Sequence, residues 1–205
     1  MSAILSTQNL VKKYGYKIVS NNISLTINKG DIYGFVGKNG AGKTTFMRQV
    51  LGLAFPDSGE ITLFGGEPLN TARKKIGSLI EFPSIYKNCT AYENMKRMAI
   101  LTGSSDKSVR KILDFVGLGN PELLILDEPI NGLDPTGIME IRDLIIRLNT
   151  EKKITFMISS HLLEELSKIA TRYGFIHDGK LIEEISAVEP VSYTHLRAHE
   201  TTLHL

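Results

Sequence analysis

The chain has 205 residues, with 24 Lys and Arg against 22 Asp and Glu and a formal net charge of +2. That length suits one domain with a sizeable core, and so even a charge balance gives no footing for nucleic-acid binding through bulk charge. The single cysteine, Cys89, excludes an internal disulfide framework and makes a reducing compartment the expectation; no apolar run approaches the ~18 residues of a membrane span, and residues 1–10 lack the basic-then-apolar build of a signal peptide.

In chain order, Ile23, Leu25 and Ile27 alternate with polar residues, the period of a half-buried strand in a small N-terminal antiparallel sheet. Asn28-Lys29-Gly30-Asp31 turns the chain into an apolar strand at 32–36. That tetrapeptide matches the guanine-reading NKxD string of GTPases, but it precedes the glycine-rich loop instead of following it, so it reads as a turn. A helix is predicted at 45–51, a turn at 55–59, and strands at 60–64 and 76–80. Amphipathic helices are predicted near 92–101 and 107–116, the second with Val109, Ile112, Leu113 and Val116 on one face. The all-apolar run 123–126 suits a parallel strand covered on both faces. Ile138, Ile141, Ile145 and Leu148 mark one face of a helix, 154–158 is a further buried strand, 162–169 is helical, and 175–182 is a hairpin turning at Asp178-Gly179. There is no internal repeat. Strands alternating with helices predict an α/β fold with a mostly parallel sheet.

Gly37-Lys38-Asn39-Gly40-Ala41-Gly42-Lys43-Thr44 matches the phosphate-loop pattern G-x-x-x-x-G-K-[ST] without a mismatch. The glycines allow backbone N–H groups to crowd around phosphates where a β-carbon would collide. Lys43 brings a charge to the β- and γ-phosphates, and the Thr44 hydroxyl is a ligand for Mg²⁺. The predicted helix, from Thr45 onward, presents its positive end to the same anion. A strand before and a helix after make a chance glycine turn a poor rival. These residues are expected to bind ATP with Mg²⁺.

Asp127 and Glu128 close the apolar run 123–126. Ligands of such sheets sit at the carboxyl ends of strands. Asp127 is there positioned to hold Mg²⁺ through water opposite Thr44, and Glu128 to orient or deprotonate the attacking water. The bland alternative is a solvated acidic turn, which the phosphate loop upstream disfavours.

With these motifs the chain resembles the ATP-binding subunits of ABC transporters, over residues 1–190. The resemblance implies a P-loop ATPase core, an N-terminal antiparallel β subdomain and a helical subdomain at about 83–120. It implies two partners, a transmembrane permease subunit and a second ATP-binding subunit, and a peripheral place on the cytoplasmic face of the membrane. Asn131-Gly132-Leu133-Asp134-Pro135 resembles the family's D-loop at the dimer interface; Ile130 before it stands where relatives usually carry threonine. His161 resembles the switch histidine that contacts the γ-phosphate. Tyr14, in Lys12-Lys13-Tyr14-Gly15, resembles the aromatic on which adenine stacks, with a packed surface tyrosine as its rival reading. Glu81 occupies the position where most of the family has a glutamine near Mg²⁺. The segment from Ile76 to Pro83, with Tyr86 and Tyr92-Glu93-Asn94, is similar to the group protecting bacteria against lantibiotics and bacitracin, which carries glutamate there. An ordinary strand-end glutamate is the alternative.

Two departures accompany the resemblance. The family's signature motif, an LSGGQ-like string opening a helix, is absent after 114–118, where Gly119-Asn120 runs almost directly into Pro121-Glu122. A loop and one helix, about 25 residues, are missing by comparison with relatives. Residues 101–105, Leu-Thr-Gly-Ser-Ser, lack the second glycine and the glutamine and are a poor stand-in. Residues 191–201 resemble the in-frame translation of a transposase sequencing adapter, so 191–205 is expected to be a non-native tail. His195, His199 and His204 within it carry no expected function, because His199-Glu200-Thr201-Thr202-Leu203-His204 is one residue too long for H-E-x-x-H. The reading is an ATP-hydrolysing transporter subunit that, as this chain stands, binds ATP and turns it over poorly. The alternatives are a soluble ABC-type ATPase in another role and a nucleotide-binding fragment without activity.

Overall fold

The computed structural model describes residues 2–80, 93 and 121–187. The chain divides into two compact units, residues 1–81 with 122–205, and residues 82–121. The helices predicted at 92–101 and 107–116, residues 101–105, Glu81, Cys89 and the tail 191–205 lie outside the described residues, apart from Glu93.

The larger unit holds two sheets. β1 (Ala3–Tyr14), β2 (Lys17–Asn28) and β4 (Ser58–Leu63) form an antiparallel sheet in the order β2-β1-β4. β3 (Ile32–Val36), β5 (Ile76–Leu79), β6 (Leu123–Asp127), β7 (Thr155–Ser160), β8 (Arg172–His177) and β9 (Lys180–Ser186) form the second sheet in the order β5-β6-β7-β3-β8-β9. Its first five strands run parallel, and β9 returns antiparallel from the predicted hairpin. The expected α/β class and small antiparallel sheet are both present. Four helices are described: α1 (Lys43–Leu51), α2 (Leu69–Ala72), α3 (Pro135–Lys152) and α4 (Leu163–Leu166), with a 3₁₀ turn at Arg73–Lys75.

The all-apolar strands are explained by cores on both faces of the parallel sheet. Successive side chains of a strand point to opposite faces. Tyr33 and Phe35 of β3, Leu123 and Ile125 of β6, and Met157 of β7 join one core with α1 residues Phe46, Met47 and Val50 and with the inner face of the antiparallel sheet. Ile32, Val36, Leu124, Phe156 and Ile158 join the other, against Ile145 of α3 and Leu163 and Leu166 of α4. The Phe35 and Phe46 rings meet with centroids 5.3 Å apart. Burying a side chain of that size stabilises the fold by about 1.5–3 kcal/mol.

α3 begins where its sequence says it should. Asp134 caps it, accepting the Gly137 N–H at 3.1 Å, and Pro135 takes the first turn, where no N–H is needed. Residues 162–169 are less helical than predicted: α4 covers only Leu163–Leu166, and its carboxyl end continues as turns through Ile169 and Ala170. α2 and the 3₁₀ turn were not foreseen.

Candidate functional site

The parallel strands deliver their carboxyl ends to the start of α1. α1 begins at Lys43, two residues earlier than predicted, and its N-cap is Gly42 with φ of 108°. No side chain caps this helix, and its first turn contains no acidic residue, so its leading N–H groups are left for an anion. A β-carbon on Gly42 would strike the Val19 carbonyl, and one on Gly37 the Ile176 carbonyl. Glycine is therefore required at both ends of the loop by close backbone approach. The loop is also held from behind. Gly37 N–H donates to the Ser160 carbonyl (3.2 Å), Gly179 N–H to the Ala41 carbonyl (2.9 Å), and Asn21 N–H to the Gly179 carbonyl (2.7 Å).

Lys43 is 5% exposed. Its Nζ donates to the carbonyls of Gly37 (2.5 Å) and Lys38 (3.1 Å) and lies 3.2 Å from Glu128 Oε1. Asn39 and Gly40 are exposed at the loop tip, Ala41 is buried beneath it, and Thr45 is half-buried in the first turn of α1.

Strand alternation places the acidic residues. Leu123 and Ile125 face the α1 side of the sheet, so Asp127, two further on, faces it too. On neighbouring β7, Met157 faces the same side and Ser159 follows, in register with Asp127. Thr44 Oγ1 donates to Asp127 Oδ2 at 2.6 Å, and Ser159 Oγ donates to Asp127 Oδ1. Glu128 leaves the strand with φ of +50°, a left-handed conformation that costs a non-glycine residue about 1–2 kcal/mol. Its N–H donates to Ser159 Oγ at 2.9 Å. Its carboxylate bridges two groups: Oε2 is 2.7 Å from His161 Nδ1, and Oε1, buried and without a hydrogen bond, faces the Lys43 ammonium.

The structure thus brings Lys43, Thr44, Asp127, Glu128 and His161 into one linked group. Tyr14 takes no part in it. Tyr14 is 52% exposed, with Lys12 Nζ 5.4 Å from its ring centroid. Glu81 lies outside the described residues. The D-loop segment leads directly from Glu128, whose carbonyl accepts the Asn131 N–H at 3.1 Å. Ile130 lines a small apolar gap with Ile138, Ile145 and Ile158, a setting that suits an aliphatic side chain. Sequence reasoning missed Ser159. Strand geometry alone puts Ser159 on the face of Met157, but its neighbour could be known only from the strand order.

Among the described residues, no group of three or more His, Cys, Asp or Glu gathers as a metal cage. Mg²⁺ does not require one, since it takes one or two protein oxygens together with phosphates and water. Thr44 fits that role: its proton goes to Asp127, leaving its oxygen lone pairs for a cation. The uncapped helix, the glycine-lined loop and the buried Glu128 oxygen fit a triphosphate and a water in the same way.

The family model described as ABC transporter matches residues 20–121. The chain is 44% identical to the bacitracin transport ATP-binding protein BcrA of Enterococcus faecalis, over 92% of this chain and 71% of that one. It is 42% identical to the lantibiotic transport ATP-binding protein SrtF of Streptococcus pyogenes, over 88% of this chain and 90% of that one. Its fold matches the crystal structure of a nucleotide-free ATP-binding cassette from an ABC transporter with a TM-score of 0.83 at 22% identity, covering 100% of this chain and 99% of that one. Sequence relatives, fold and phosphate loop agree that this chain belongs to the ATP-binding proteins of ABC transporters.

Proposed function

We propose that the chain is the ATP-hydrolysing subunit of a transporter that exports antimicrobial peptides of the bacitracin and lantibiotic kind for self-protection. It works on the cytoplasmic face of the membrane, docked on a transmembrane permease and paired with a second ATP-binding subunit. The names of its relatives support the cargo class. No described helix is long and apolar enough to cross a membrane. The observation that carries the nucleotide site is the group running from Thr44 through Asp127 and Ser159 to Glu128, with Lys43 and His161 on its carboxylate.

In this reading Lys43 exchanges the Gly37 and Lys38 carbonyls for β- and γ-phosphate oxygens. The open N–H groups of α1 take the remaining phosphate charge. Mg²⁺, when held by Thr44 and through water by Asp127, neutralises charge at the phosphates. With Lys43 turned to the phosphates, the Glu128 oxygen that it faced, Oε1, accepts the proton of the attacking water. His161, whose Nδ1 lies 2.7 Å from Glu128, stands as the switch histidine beside the γ-phosphate. Tyr14, with its exposed face, stacks on adenine, and Glu81 adds a carboxylate near the metal.

A second reading, a nucleotide-binding fragment with little turnover, also has support. The alignment with the streptococcal relative runs over 207 positions but takes in 88% of the 205 residues, about 180, so about 27 positions have no counterpart here. That is the size of the signature loop and helix missing after 114–118. Both readings require binding. Lys43→Ala removes a charge-assisted contact of about 1.5–3 kcal/mol, a 10- to 150-fold loss of ATP affinity by calorimetry. Unchanged affinity would overturn the site.

A further inference from the structure

We propose that Ser159 is a positioning residue that sets both carboxylates of the site toward metal and water; this rests on the nucleotide-site reading above. Its hydroxyl has one proton and two lone pairs. The proton goes to Asp127 Oδ1, and a lone pair receives the Glu128 N–H at 2.9 Å. Thr44 holds the other Asp127 oxygen at 2.6 Å. Asp127 is thereby fixed by one hydroxyl on each oxygen, so its plane cannot turn about the Cβ–Cγ bond without breaking a bond. The remaining lone pairs of both oxygens keep a constant direction for a metal-bound water.

The Glu128 side of the contact is different in kind. Glu128 has left-handed backbone, and Ser159 receives the N–H of that strained residue. The peptide angle at Glu128 decides where its carboxylate emerges, between Lys43 and His161. One buried hydroxyl on β7 therefore couples the aim of the metal-side carboxylate to that of the water-side carboxylate. Ser159 itself is fully buried. It touches neither nucleotide nor metal, and it acts through its neighbours.

The test titrates Mg²⁺ into the chain with a non-hydrolysable ATP analogue and reads analogue affinity, beside the same measurement in a chelator. In the parent, Mg²⁺ tightens binding. Ser159→Ala raises the half-maximal Mg²⁺ concentration about tenfold and leaves affinity in chelator unchanged. Ser159→Thr, which keeps the hydroxyl, restores the parent response. Should Ser159→Ala fail to fold, Ser159→Cys, of similar size with a weaker donor, gives an intermediate shift. A parent-like Mg²⁺ response in Ser159→Ala, or equal weakening with and without Mg²⁺, overturns the proposal and leaves Ser159 a purely structural residue. If the parent does not bind the analogue, or binds it independently of Lys43, the nucleotide-site reading itself falls and takes this inference with it.

Discussion

Both ends of the parallel sheet carry charged side chains, and they satisfy them differently. At the amino end, Arg172 lies 3.5 Å from Asp31 and 3.6 Å from Glu184, Tyr33 donates to Glu184 at 2.8 Å, and Glu122 lies 3.3 Å from Lys29 and 3.5 Å from Lys75. Each of these charges has its opposite beside it. At the carboxyl end, the Lys43 ammonium is shared between the Gly37 and Lys38 carbonyls and Glu128, 3.2 Å away, while no side chain caps α1 and its first turn holds no acidic residue. The leading N–H groups of a helix without a cap look for an acceptor outside the helix. The amino end closes its charges on one another; the carboxyl end leaves a helix start open, as the proposed nucleotide site requires.

That contrast can be broken at either end, and the largest effect belongs to the carboxyl end. In a version carrying a relative's signature segment, Glu128→Gln keeps ATP binding and lowers steady-state turnover by about 10²–10⁴-fold, the usual worth of a general base. In the same assay the chain as it stands turns over far more slowly than the version with the segment. Parent-rate turnover by Glu128→Gln would remove Glu128 from the chemistry, and equal turnover by both backgrounds would remove the need for the segment.

A smaller effect is expected at the amino end, on stability alone. A β-carbon at Gly174 would run into the Tyr33 hydroxyl, which is buried and already committed to Glu184. Gly174→Ala therefore forces the ring to shift and lowers unfolding free energy by about 1–3 kcal/mol, measured in urea. Nucleotide affinity stays at the parent value. An affinity loss as large as the stability loss would show that the two ends are not independent.

The smallest effect is that of the Tyr33 hydroxyl. Burial, and after it the neighbouring Glu184 charge, push its pKa well above the ordinary 10.0. The folded state therefore favours the neutral phenol. Stability from this group is complete below pH 10.0, where the unfolded chain also keeps its proton, and is lost as pH rises from there through the higher folded value. Tyr33→Phe lowers stability by about 1 kcal/mol at neutral pH and makes the alkaline fall shallower. An unchanged alkaline slope in the variant would assign that fall to other groups.

What could be read without the structure follows the same division between local and distant. The phosphate loop and the Asp127-Glu128 pair are contiguous strings, and their chemistry depends on neighbours in the chain. Ser159 depends on β7 lying beside β6, a fact that no local period contains. β1 escaped a definite assignment for a related reason. Its pairing with β2 shifts register between Thr7 and Leu10 and again near Lys12, and Asn9 has φ of 48°, so the apolar residues lose their strict alternation. α4 was overestimated because 162–169 has enough leucine for a longer helix, while the chain turns early to enter β8.

The hairpin turn at Asp178-Gly179 has a practical consequence for anyone wishing to label or rebuild this protein. By sequence it is an ordinary tip, the sort of place chosen for a dye, an affinity tag or a grafted peptide. Here its glycine donates its N–H to the Ala41 carbonyl of the phosphate loop and accepts the Asn21 N–H on its own carbonyl, with the Val19 carbonyl packed where a side chain would go. An insertion there would withdraw the support beneath a binding loop that is distant in sequence. A probe intended to leave nucleotide binding undisturbed belongs elsewhere, for instance near the fully exposed Tyr16 between β1 and β2.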